Sequence, residues 1–242
     1  SQTSYLTELM VRSIIESGIL PEGSLQLISG NAGDLLDHLG PQDTVAFTGS
    51  ADTARRLRTH PAIIDNSVRF NAEADSLNAA ILGESATPGT PEFELFVAEV
   101  VKEMTTKAGQ KCTAIRRVLV PSGVAADVEE AMVARLTAVR VGDPADAETD
   151  MGALASLDQR EEVRQSVDAL RGAAKVVFDS CDFHDVDEDR GAFLAPTLLR
   201  ATDRRAAAVH AVEAFGPVAT IVHYEGTADA IDLAALGKGS LV

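Results

Sequence analysis

Cys112 lies in the loop Ala108-Gly109-Gln110-Lys111-Cys112, between a helix-patterned stretch and a strand-patterned one, with Lys107, Lys111, Arg116 and Arg117 around it. Neighbouring cations favour the thiolate, the nucleophilic form of the side chain, so this placement admits covalent catalysis. A structural thiol is the alternative reading. No Ser-His-Asp or Cys-His pairing can be placed from spacing, which leaves hydrolysis open but unsupported. A second feature is Phe47-Thr48-Gly49-Ser50, which closes an apolar run and opens a helical one. A Gly-Ser at such a junction leaves backbone N–H groups at a helix N-terminus, either a seat for phosphate or simply a capped helix. The Gly-x-Gly-x-x-Gly fingerprint of many dinucleotide sites is absent.

For metals, His38, His60, His184, His210 and His223 show no paired ligand spacing. The acidic loop Asp185-Val-Asp187-Glu-Asp189-Arg-Gly191 matches a calcium loop at three alternate positions. Its glycine then falls one residue late, and Pro196 stands where a bidentate Glu belongs. A solvated loop and no metal are expected.

These residues sit in a chain of 242 residues, 45% hydrophobic and 24% charged, an ordinary composition for a soluble globular protein. Its net charge of −16 argues against nucleic acid or an anionic membrane as the main partner, since both attract basic faces. No apolar run approaches the ~20 residues that span a bilayer. The start, Ser-Gln-Thr-Ser, has neither an initiator Met nor a signal-peptide pattern. Two thiols, Cys112 and Cys181, with no other sign of secretion fit a reducing compartment. The expectation is a cytoplasmic protein that has been cut.

The elements that must position the chemistry alternate between helix and strand, the signature of an α/β sheet protein. Helices are expected over 5–16, 32–38, 52–58, 92–106, 125–138 and 159–171. Strands are expected over 24–28, 45–47, 68–71, 77–82, 117–120, 174–178, 196–199 and 218–222. Gly18 ends the first helix and Pro21 blocks its resumption. Pro88, Gly89 and Pro91 mark a connection, so two parts are expected, 1–87 and 88–242.

Six segments in chain order carry a resemblance: Gly18-Ile-Leu-Pro21-Glu-Gly23, Val45-Ala-Phe-Thr-Gly-Ser50, Gly109-Gln110-Lys111-Cys112-Thr113, Met151-Gly-Ala-Leu154, Ala195-Pro-Thr-Leu198 and Glu213-Ala-Phe-Gly-Pro217-Val218. Together they resemble the aldehyde dehydrogenase superfamily over nearly the whole chain. Glu73-Ala-Asp-Ser-Leu-Asn78 and the run 102–117 look like the branch found in phenylacetate degradation. In that branch the dehydrogenase is fused to an enoyl-CoA-hydratase-like domain, absent here, and oxidises a semialdehyde carried on coenzyme A, using NADP.

The resemblance implies a partial Rossmann-type NAD(P)-binding domain over 1–87 and an α/β catalytic domain over 88–242. It implies that Cys112 attacks an aldehyde carbonyl to give a thiohemiacetal, that hydride leaves to the nicotinamide, and that Glu73 activates the water hydrolysing the resulting thioester. The Cys112 N–H would be one oxyanion donor. Gly49 and Ser50 would face the cofactor pyrophosphate, Glu213 the nicotinamide ribose and Phe215 the nicotinamide. The cofactor is NADP or NAD, since the residues reading the 2′ position lie upstream. The aldehyde is a small molecule, CoA-linked in the branch named, and the assembly is a homo-oligomer.

Rival readings and departures from the family pattern remain at this level. The family's usual motif sets Glu seven residues before the Asn, and a gapless register from Asn78 lands on Asn71 rather than Glu73. Ala54 stands where many relatives have a second glycine. The acyl group could pass to coenzyme A instead of water, or the chain could only associate with partners. Against the superfamily, the chain begins after the lysine-bearing strand, lacks the upstream Asn that supplies a second oxyanion donor, and stops where another strand should start. On its own it is expected to be inactive.

Overall fold

Strands that are nearly all apolar need cover on both faces, and 117–120 (apolar after Arg117) and 218–222 (apolar but for Thr220) are such strands. In the computed structural model, which describes residues 4–181, 183–187 and 190–242, both lie at the centre of a sheet. The chain divides into two compact units at Asp75/Ser76.

The first unit opens with α1 (Ser4–Glu16). It continues through a 3-10 turn at Leu35–His38 to β1 (Thr44–Gly49), α2 (Ala51–Arg58), α3 (Pro61–Asp65) and β2 (Arg69–Ala74). β1 and β2 pair in parallel, with Val45 opposite Phe70, Thr48 opposite Glu73 and Gly49 opposite Ala74. Ser50 caps α2 by accepting from the Thr53 N–H at 3.3 Å. Two expectations fail here. Residues 24–28 form no strand, because β1 and β2 pair only with each other among the described residues. The helix expected over 32–38 shrinks to the 3-10 turn, since Gly33 takes φ +57.

The second unit, Ser76–Val242, is built on five strands in the order β3-β4-β9-β8-β6. These are β3 (Ala79–Ile81), β4 (Arg117–Pro121), β6 (Ala174–Phe178), β8 (Thr197–Ala201) and β9 (Val218–Tyr224). All neighbours pair in parallel except β6 with β8. Two short strands, β5 (Val141–Gly142) and β7 (Phe183–His184), pair separately. Residues 76–87, grouped by sequence with the first part, pack with the second because β3 pairs with β4. The strand expected over 77–82 is ordered as β3 alone.

Alternation along the central strands distributes the helices. Val118 and Val120 of β4 and Ile221 of β9 meet Phe93, Val97 and Met104 of α4 (Pro91–Thr105) and Val128, Met132 and Leu136 of α5 (Ala125–Thr137). Leu119 and Val222 meet Ala230 and Leu233 of α7 (Gly226–Ala235). A further cluster joins Val163, Val167 and Leu170 of α6 (Leu157–Leu170) to Leu199, Val218 and Met151. No helix among the described residues is long and apolar enough to cross a membrane. The acidic loop 185–191 includes residues 188 and 189, which lie outside the described residues.

Arg117 begins β4 and is 1% exposed. Its guanidinium donates to Leu77 O at 2.8 and 2.9 Å and to the last carbonyls of α7, Leu233 O at 2.9 Å and Ala234 O at 3.1 Å. Those acceptors satisfy a buried cation and a helix C-terminus together. The fork also donates to His210 Nδ1 at 3.0 Å, and His210 Nε2–H faces Arg204 O at 2.8 Å. Gly237 closes over it, and a Cβ there would stand 2.1 Å from Arg117 Nη2.

Burial holds His210 below its usual value of 6.5; the Arg204 carbonyl opposes this, and Arg117 and Arg205 add to it. Above about pH 6.5 the imidazole is neutral in folded and unfolded chain alike, and its contribution is whole. As pH falls below that, the unfolded chain takes up the proton first, so stability declines until the lower folded value is passed. Urea unfolding at about pH 7.5 and about pH 5.5 should therefore give a lower midpoint at the acid end, and His210→Gln should narrow the difference. An undiminished difference in His210→Gln would assign the acid sensitivity to other groups.

Candidate active site

The loop that carries Cys112 starts where α4 can no longer continue. Lys107, Ala108 and Gly109 take φ of 55, 52 and 68 in succession, a left-handed run that non-glycine residues adopt at a cost. Gly109 is required twice over, since its conformation favours glycine and a Cβ would stand 2.1 Å from Gly216 O. The turn before Cys112 therefore lies backbone against backbone on the turn Glu213-Ala-Phe-Gly-Pro217.

Polar groups fasten the loop from three sides. Gln110 Nε2 donates to Gln159 Oε1 at 2.6 Å and to Phe215 O at 3.3 Å, while Gln110 Oε1 accepts from Ala155 N at 2.8 Å. Asn78, fully buried, donates to Cys112 O at 2.7 Å and to Ala114 O at 3.0 Å. Its own carbonyl accepts from the N–H groups of Arg116 and Arg117. Arg116 donates to Gly216 O at 2.7 Å, Gly109 O at 2.9 Å and Lys111 O at 3.3 Å. Cys112 itself is exposed and reduced at the tip of this fastened loop.

Arg116 also holds the other turn. Its Nε lies 3.6 Å from Glu213 Oε1, and its guanidinium carbon lies 5.4 Å from the centre of the Phe215 ring. Glu213 Oε2 accepts from Ser76 N at 3.2 Å. Burial draws the Arg116 guanidinium below its usual value, and Glu213 opposes that. The second unit thus brings Cys112, Glu213 and Phe215 onto adjoining turns.

The cationic surroundings expected for Cys112 are largely directed elsewhere. Lys111 pairs with Glu103 at 2.7 Å, Arg116 turns under the loop, and Arg117 fills its cage behind β4. Successive strand residues point to opposite faces, so two adjacent arginines serve two different places. Sequence reading took them only as cations near a thiol and gave Asn78 and Gln110 no role beyond their motifs; their acceptors are distant in sequence.

Gly49, Ser50 and Glu73 fall together in the first unit, at the carboxyl ends of β1 and β2. Glu73 is exposed and sits opposite Thr48. Asn71, the rival position, lies two residues further back, opposite Ala46. The Ser50 hydroxyl meets Thr53 Oγ1 at 3.0 Å, and the Ala51 N–H donates to Asp75 Oδ1 at 3.0 Å. Ala54 is buried on α2. Parallel strands ending beside a helix N-terminus are the setting in which α/β sheets receive phosphate-bearing ligands. The first unit's Gly-Ser turn before a helix is of a kind that fits a phosphate group.

Residues 1–236 match the family model described as the aldehyde dehydrogenase family. The chain is 50% identical over 244 residues to the 3,4-dehydroadipyl-CoA semialdehyde dehydrogenase of Aromatoleum evansii, covering 99% of this chain and 47% of that protein. It is 30% identical over 229 residues to the geranial dehydrogenase of Castellaniella defragrans, covering 93% of this chain and 45% of that one. Among solved structures, a betaine aldehyde dehydrogenase variant from Staphylococcus aureus in complex with NAD+ superposes with a TM-score of 0.85 at 27% identity, over 98% of this chain and 47% of that chain. The chain thus spans about half the length of the relatives it matches. With the ordered motifs, the α/β architecture and this match along nearly its full length, the chain belongs to the aldehyde dehydrogenase family.

Proposed function

We propose that this chain carries the nucleophile and part of the cofactor site of an NAD(P)-dependent dehydrogenase that oxidises an aldehyde to its acid through Cys112. The observation that carries the reading is an exposed thiol, on a loop fastened by Asn78, Gln110 and Arg116, adjoining the turn that bears Glu213 and Phe215. The CoA-linked semialdehyde named for the 50% identical relative supports a CoA-linked semialdehyde as the proposed substrate, and its place in phenylacetate catabolism is proposed from the segments 73–78 and 102–117.

In this reading the Cys112 thiolate adds to the aldehyde carbon, and the carbonyl oxygen becomes an alkoxide facing the Cys112 N–H. The dinucleotide, when bound, supplies the hydride acceptor. Loss of hydride leaves a thioester on Cys112. Glu73 takes a proton from water, the resulting hydroxide adds to the thioester carbon, and the C–S bond breaks to release the acid. Its place near the carboxyl end of β2, opposite Thr48, favours Glu73 over Asn71, which has no carboxylate to accept the proton. Gly49 and Ser50 would hold the pyrophosphate, Glu213 the nicotinamide ribose and Phe215 the nicotinamide. The cofactor-binding part proposed is the unit ending at Asp75, and the catalytic part proposed is the unit beginning at Ser76.

In full-length enzyme carrying this sequence, Cys112→Ala should lower turnover by several orders of magnitude while leaving the circular dichroism unchanged. Turnover above about a tenth of the parent's would remove Cys112 from the reaction. Cys181→Ala should be nearly silent in the same assay.

Glu73→Gln should still release a first equivalent of reduced cofactor and then turn over slowly, because the thioester persists. A burst followed by normal steady-state turnover would move the base elsewhere. Product analysis gives the second check: free acid supports water as acceptor, and an acyl-CoA product would assign that step to coenzyme A.

A further inference from the structure

Burying a guanidinium is costly, and an apolar side chain of similar volume is often no less stabilising at such a place. Arg116 is 5% exposed, and none of the hydrophobic clusters of the second unit needs its charge. Its partners come instead from two turns a hundred residues apart. Gly109 O and Lys111 O precede Cys112 in the nucleophile loop, and Gly216 O belongs to the turn of Glu213 and Phe215. The same guanidinium faces the Glu213 carboxylate at 3.6 Å and stands 5.4 Å from the Phe215 ring centre. A single rigid planar group thereby sets the spacing between the thiol loop and the carboxylate and ring beside it.

We propose that Arg116 is a positioning residue that couples presentation of Cys112 to the orientation of Glu213 and Phe215. The proposal rests on the reading of Cys112 as nucleophile and Glu213 as a cofactor contact. In this role Arg116 acts through the peptide groups of the loop and through Glu213. Lysine cannot replace it, because one ammonium has no fixed fork with which to reach Gly109 O, Gly216 O and Glu213 together.

The test is Arg116→Lys in full-length enzyme carrying this sequence. The expected result is a KM for the dinucleotide raised about tenfold and a first-turnover burst of reduced cofactor slowed about tenfold. The thermal midpoint should stay within a few degrees of the parent's. Adding Glu213→Gln should cost less than about threefold more, since both changes cut one linkage. An unchanged cofactor KM and burst, or effects of the two substitutions that simply multiply, would overturn the proposal.

If Arg116→Lys fails to fold, Glu213→Gln alone decides. The substitution should change the rate of Cys112 alkylation by iodoacetamide at least about threefold. An unchanged alkylation rate would overturn the coupling. Cys112→Ala separates the two readings: substantial turnover without the thiol defeats the proposed function itself, whereas an inactive Cys112→Ala beside a normal Arg116→Lys defeats only this inference.

Discussion

A guanidinium taken out of water must meet acceptors in the plane of its five N–H groups, and the second unit does this twice in succession. Arg117 begins β4 and Arg116 directly precedes it, and the alternation of extended backbone sends their side chains apart. Arg117 closes the C-terminal end of α7 and the 77–78 bend onto the sheet. Arg116 closes the loop of Cys112 onto the turn at Gly216. The loop of Cys112 enters the sheet through this pair, so the loop's geometry and the sheet's own packing depend on the same two residues.

Asn78 completes the arrangement from the opposite side. Its backbone carbonyl receives the N–H groups of both arginines while its side chain holds Cys112 O and Ala114 O. A short stretch of the chain, Ser76 to Asn78, therefore contacts Glu213, Arg117 and the loop of Cys112 together. This explains why that stretch packs with the second unit although it directly follows the strand bearing Glu73.

Local pattern was enough for much of this. The helices at 92–106, 125–138 and 159–171 and the buried strands at 117–120 and 218–222 were legible because periodicity and apolar runs are properties of the segment itself. The loop of Cys112 and the turn of Glu213 were legible from their motifs. Pairing was not. Residues 24–28 have the composition of a strand, but a strand needs a neighbour, and β1 and β2 pair only with each other among the described residues. The punctuation at Pro88, Gly89 and Pro91 marked a real connection, yet it lies inside the second unit, between β3 and α4. The arginines read as electrostatic company for a thiol, because their acceptors lie as far as a hundred residues away and no short window contains both ends.

The backbone contact between Gly109 and Gly216 bears on how such a protein can be recombined. A methyl group on Gly109 would overlap Gly216 O, and one on Gly216 would press on Val163 of α6, so three segments are fitted to one another at main-chain distance. In space they form a single part, although they are three separate stretches of sequence. A chimera that imports the Cys112 loop from a relative while keeping its own 213–217 turn joins surfaces shaped in different backgrounds, and a crossover placed between residues 112 and 213 divides that part. Crossovers that keep 109–117, 155–163 and 213–217 from one parent leave it whole.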